Sequence, residues 1–329
     1  MELETAAPGS TPPSKLNLAF YNDRGLRAGW RLLIFAAIPC AIGIGLTFLI
    51  KLLGLGTGAG RKIPENLTYL LPLEQGIGQL VFFLIILFAS WVMSRIERRK
   101  VGDYGLPLTR SAWPRFFTGY LLWGFLPLTV LLLVMRAVHV FYFGTISLHG
   151  RAILSWGLLW GFAFLMVGFF EEYSFRGYAL YTLTDGLGFW PAAIILALVF
   201  AWVHTGNGGE TKIGIVGVFL FGIFAAVTLW RTGNLWLAVG AHAGWDWGQS
   251  FFYGVADSGF QVPGHFLNPH VQGPDWLTGG TVGPEGSILT LILLALMTVV
   301  FLIIYKPQPR ALVMNFAKDS GSIAESSNE

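Results

Sequence analysis

Charge is what this sequence has least of. Asp, Glu, Lys and Arg make up 12% of its 329 residues, against about 25% in a soluble domain. That scarcity excludes an ordinary solvated surface. With 54% hydrophobic residues, 15% aromatics and 13 Trp, the chain reads as a polytopic membrane protein. Cysteine is nearly missing too: Cys40 stands alone in an apolar run, so no intrachain disulfide can form. Glycine-rich phosphate loops, Cys-rich metal clusters and internal repeats are also missing. The opening "MELETAAPGSTPPSKLNLAFYNDRGLRAGWR" is too polar and too acidic at its start for a signal peptide. Leu32 is therefore expected to begin a retained span.

What is there is hydrocarbon-soluble helix. A span needs about 20 mostly apolar residues, and eight runs qualify: Leu32–Ile50, Gly76–Ser94, Phe116–Met135, Ile153–Thr184, Phe189–His204, Ile213–Trp230, Asn234–Phe252 and Ser287–Tyr305. The fifth is short, and the seventh is rich in Gly and Trp. The expectation is an all-α polytopic integral membrane protein of about eight transmembrane helices. An even number puts both termini on one side, which holds 15 of the 21 Lys and Arg. Both termini are then cytoplasmic by the positive-inside rule. "RIERRK", from Arg95, reads as an orientation anchor and not a nucleic-acid patch. The expected organisation is a cytoplasmic tail over 1–31, a transmembrane domain over 32–306 and a flexible tail over 307–329. Gly214, Gly217 and Gly222 look like helix-packing positions.

Against this background "GFFEEYSFRGYAL" stands out, because charges at bilayer depth are costly. Glu172 and Arg176 are four apart on one helix face and can pair. Glu171 points about 100° away and has no partner on its own helix. "ALVFAWVHTG" places Phe200 and His204 four apart, and "GAHAGWDWG" does the same for His242 and Asp246. If the fourth and fifth runs turn near Asp185–Gly188, Glu171 and His204 each lie roughly 21 Å up from that turn. His242 and Asp246 lie about 12 and 18 Å into the seventh run. This set could activate water against a carbonyl. Glu171, His204 and His242 could instead hold zinc. The HExxH pattern of soluble zinc proteases is missing.

"EEYSFR", "FAWVH" and "HAGWD" match, in order, the motifs EExxxR, FxxxH and HxxxN/D. On these residues the chain resembles the CAAX-protease and bacteriocin-processing (ABI) family of intramembrane endopeptidases, over roughly 151–252. The resemblance implies peptide-bond hydrolysis in a membrane cavity, with Glu171 and His204 activating water. His242 and Asp246 would stabilise the oxyanion, and Glu172, Arg176 and Phe200 would support the site. It also implies a membrane-associated peptide or protein substrate, lipidated or not, no nucleic acid, and either a metal-free or a zinc mechanism. Asp246 departs from the Asn often found there, since an ionised Asp cannot donate a hydrogen bond. The alternatives are a non-catalytic scaffold or bacteriocin-immunity protein, and a proton-coupled transporter. The style of the sequence suggests a bacterial cytoplasmic membrane. His139, His149, His265 and His270 read as loop residues, whereas Trp202, Trp245 and Trp247 could wall the cavity.

Overall fold

The computed structural model describes residues 19–22, 25–54 and 68–306. The tail over 307–329 lies outside them, as does most of 1–31. Nine helices of ten residues or more carry the fold among the described residues: α1 (Ala28–Leu52), α2 (Leu70–Ile96), α3 (Ala112–Ala137), α4 (Arg151–Arg176), α5 (Tyr178–Leu187), α6 (Phe189–His204), α7 (Lys212–Thr232), α8 (Trp236–Trp247) and α9 (Ile288–Ile304). Of the spans so formed, five are long and apolar enough to cross a membrane: α1, α2, α3, α4 continued by α5, and α7. The chain is a mostly helical integral membrane protein.

Three details differ from the sequence expectation. The first helix begins at Ala28 and not Leu32. The fourth run is two helices, because 37 residues of unbroken helix would measure about 55 Å. The break falls at Gly177, whose ψ of −129° leaves the helical region. A Cβ there would stand 2.3 Å from the Tyr173 carbonyl oxygen. The third departure is a small antiparallel sheet in a fold expected to be all helix: β1 (Phe141–Ile146) pairs with β2 (Leu267–Val271). It joins the connection after α3 to the long segment between α8 and α9, and it takes in His270.

Helix ends follow their sequences. The Thr211 hydroxyl accepts from the Gly214 amide, and Gly233 closes α7 at φ 73°. The Ser287 hydroxyl caps α9. At the end of the bundle holding the α1 N-terminus, Glu97 accepts hydrogen bonds from Tyr104 and Tyr178, and Arg31 lies 3.4 Å from it. Arg31 also binds Asp185 at 2.9 Å. This network ties α1, α2 and α5 together.

The centre of the bundle is α8, in which every residue from Trp236 to Asp246 is buried. Its small residues let neighbouring backbones approach. A Cβ on Gly240 would lie 2.1 Å from the Phe116 carbonyl oxygen, and one on Gly244 would lie 2.2 Å from that of Tyr120. Across the interface Gly119 and Gly124 meet the carbonyls of Leu237 and Ala241. α3 widens into a π segment there, Gly119–Phe125. Pro127 follows and has no N–H to give the carbonyl four residues back. Gly168 brings α4 against the other side of α8. Close packing of this kind is the main attraction available between helices in lipid.

Substituting Gly244 by Val should therefore cost at least about 1–3 kcal/mol through overpacking against backbone. A Cβ on Gly78 of α2 meets nothing within 4 Å, so Gly78→Ala should be neutral or stabilise by up to about 1 kcal/mol. Thermal unfolding of both variants in detergent checks the contrast. Equal midpoints would contradict the packing described.

Candidate functional site

Three helices deliver the motif residues to one place. On α4, Glu172 is fully buried and its Oε1 is approached from two sides. Arg176 Nη1 lies 3.4 Å away, and the His242 ring donates its Nδ1–H at 2.8 Å. The Arg176 guanidinium also lies 4.4 Å from the centroid of the Phe200 ring, a cation–π contact. Gly222 of α7 makes room for it: a Cβ there would stand 2.7 Å from Arg176 Nη2. The expected packing role of Gly222 thus has a specific object. Gly217 instead faces the Glu285 carbonyl and Leu291.

Glu171, turned away from Glu172, enters a cavity of about 920 Å³. Its Oε2 lies 3.8 Å from His204 Nε2 and 3.7 Å from His242 Nε2. These separations are too long for direct hydrogen bonds. Each is a distance that an intervening water could bridge. Asp246 Oδ2 lies 3.5 Å from the same His242 nitrogen. Glu171, His204, His242 and Asp246 all line the cavity, as does Phe200.

The ring orientations carry chemical information. His204 Nδ1 sits 2.8 Å from the Phe200 carbonyl oxygen. A carbonyl only accepts, so Nδ1 holds the proton and neutral His204 presents a bare Nε2 to Glu171. The four-residue spacing of the second motif thus fixes a tautomer as well as a face. The ring of Phe200 packs edge-on against His204, with centroids 4.4 Å apart. His242 gives Nδ1–H to Glu172, so its Nε2 carries a proton only in the imidazolium form.

Further lining comes from the first turns of α2 (Leu70, Leu71, Glu74), from α4, α7 and α9, and from 257–263 and 285 in the segment between α8 and α9. The first turns of α2 lie at the other end of that helix from Glu97. Of the three tryptophans beside the motifs, Trp245 lines the cavity and Trp202 is 71% exposed. Trp247 instead donates to the Gly157 carbonyl. His139, His149, His265 and His270 do not line the cavity.

Residues 153–248 match the family described as type II CAAX prenyl endopeptidase Rce1-like. This segment is similar to Rce1-like domains. It runs from the first turn of α4 through α8 and includes all three motifs. At family level the match supports a CAAX-type intramembrane protease, with a membrane-embedded peptide as the class of substrate. No curated protein and no solved structure matches the chain.

Zinc donors do not converge within residues 153–248. Glu171, His204 and His242 do not bring three ligand atoms within 4.8 Å of one another. The group that does, among the described residues, is Asp246, Asp257 and Glu285. This all-oxygen set is unlike a nitrogen- and sulfur-rich zinc site. Two of its members escaped the sequence reading. Asp257 receives a hydrogen bond from Ser250, and Glu285 accepts from Trp245, the Ser258 hydroxyl and the Ser258 amide. The available signal was the segment 252–286, which keeps acids but has no Lys or Arg.

Removing one half of a buried ion pair strands the other. Arg176→Met should cost about 3–5 kcal/mol by leaving the buried Glu172 carboxylate with His242 as its remaining partner. Adding Glu172→Gln in the same chain should recover part of that loss. Denaturation of the single and double variants in detergent is the measurement. An unchanged midpoint for Arg176→Met would count against the pair as a structural requirement.

Proposed function

We propose that the cavity hydrolyses peptide bonds by a glutamate- and histidine-activated water. The observation that carries this reading is the meeting of Glu171, His204 and His242, from three separate helices, in one cavity. The Glu171 carboxylate takes a proton from water while the bare Nε2 of His204 accepts its other hydrogen. The oxygen attacks the substrate carbonyl carbon. The resulting oxyanion is met by Nε2–H of the His242 imidazolium, whose far side is anchored by Glu172. Ionised Asp246 donates nothing, and it pairs with that imidazolium. Glu171 then passes its proton to the leaving amine. No step calls on a metal.

Eight crossings with both termini in the cytoplasm are part of the same proposal. The three shorter helices, α6, α8 with its continuation to Phe252, and α9, would complete the crossings beside the five long ones. Support comes from the basic residues around the Glu97 end. The cavity would then open toward the opposite side, beneath the segment between α8 and α9. The domain limits 32–306, with tails on either side, belong to this proposal.

Glu171→Ala and His204→Ala should each reduce cleavage of a membrane-anchored peptide by about 10²–10⁴-fold, the usual worth of a general base. His242→Ala should cost about 10²–10³-fold, the usual worth of an oxyanion donor. If the first two variants kept full activity, the mechanism would be wrong. The topology has its own check. A reporter fused after Glu329 should be active on the cytoplasmic side, and signal on the other side would invert the arrangement.

A further inference from the structure

The cavity is asymmetric in charge in a way that the hydrolytic chemistry does not require. Glu74, Glu171, Asp246, Asp257 and Glu285 line it, and among the described residues neither Lys nor Arg does. Three of these acids form one wall, with ligand oxygens all within 4.8 Å. Asp246 belongs both to that wall and to the candidate catalytic group, 3.5 Å from His242. It is only 6% exposed, faces the cavity and, among the described residues, has no polar contact shorter than its 3.5 Å approach to His242. One long contact leaves most of a buried carboxylate's acceptor capacity unmet.

Three carboxylates this close repel one another. Burial pushes the carboxyls of Asp257 and Glu285 well above their ordinary range, and neighbouring acids push them further. A cation among these oxygens would relieve that repulsion. The remaining surface says what kind of cation fits. Trp160, Phe164, Phe221 and Trp245 supply apolar and aromatic wall, and Leu70 and Leu294 extend it. A volume of about 920 Å³ suits a ligand far larger than a bare ion. Aromatic faces favour an organic cation on an apolar stem.

We propose that the wall formed by Asp246, Asp257 and Glu285 is a subsite for a Lys or Arg side chain of the peptide substrate, next to the bond that is cut. The occupant is taken to be a peptide on the strength of the function proposed above. Because Asp246 adjoins His242, the cation would sit near the developing oxyanion and not at a distant exosite. Substrates with a basic residue near the scissile bond would be preferred to neutral ones, and acidic ones would be rejected.

The test separates this claim from catalysis by reading binding. The probes are N-lauroyl, C-amidated polyalanine peptides with one central Lys, Gln or Glu, titrated against the full-length protein in detergent. The Lys peptide should bind about tenfold more tightly than the Gln peptide, a difference of about 1.4 kcal/mol, and the Glu peptide most weakly. Asp257→Asn and Glu285→Gln, nearly isosteric, should each remove most of that advantage, whereas Glu171→Gln should keep it. Thermal midpoints report whether each variant is folded, and the wild-type comparison stands without them. Equal wild-type affinities overturn the proposal, as does a Lys advantage that survives both substitutions. Lys-selective binding without cleavage would support the subsite and remove the peptidase reading. Cleavage indifferent to charge would do the reverse.

Discussion

Glu172 has no exposed surface, and a carboxylate so placed persists only when other groups compensate it. Arg176 does so from the next turn of its own helix, and His242 does so from α8. The contact with His242 joins the two helices. Once Glu172 faces α8, Glu171 must turn by about 100°, which brings it into the cavity between His204 and His242. The buried pair thus orients its cavity-facing neighbour. Arg176 needs space in turn, and Gly222 and the ring of Phe200 provide it. The first two motifs are therefore joined by packing as well as by any chemistry.

The second requirement is a polar residue at the middle of the bundle on a helix that can be surrounded. α8 meets it with small side chains. Gly240 and Gly244 let the backbone of α3 come close, and Gly168 does the same for α4. With neighbours that near, His242 reaches Glu172 and Glu171 without crossing lipid. The composition that makes this possible also weakens α8 as a hydropathy signal, because glycine contributes little apolar surface. Of the two runs that stand out in the sequence as short or glycine-rich, the glycine-rich one is buried throughout the fold.

That contrast explains much of what could and could not be read in advance. The i, i+4 spacings of Glu172 with Arg176, Phe200 with His204 and His242 with Asp246 are local facts, and local geometry preserves them. Helical runs in α1, α2, α3 and α7 are legible because lipid demands apolar residues throughout. The break at Gly177 is not, since apolar character continues across it and only backbone crowding at Tyr173 interrupts the helix. Nor was the pairing of β1 with β2, which depends on two segments more than a hundred residues apart. Asp257 and Glu285 fall in the same class. Each looks like an ordinary loop acid until the fold brings both against Asp246.

Asp246 then acquires a meaning that motif comparison alone does not give it. With Asn at that position, Asp257 and Glu285 would be a pair of acids beside a neutral donor. With Asp they become a three-carboxyl wall continuous with His242, and the cavity loses a hydrogen-bond donor while gaining an acceptor. A donor aimed at an oxyanion and an acceptor aimed at a cation are opposite requirements. One side chain cannot meet both in the same ionisation state. Under the proposed mechanism the anchoring of His242 by Glu172 resolves the conflict, because the ring would serve as oxyanion donor without help from residue 246. Position 246 would then be free to follow the charge of what the cavity receives.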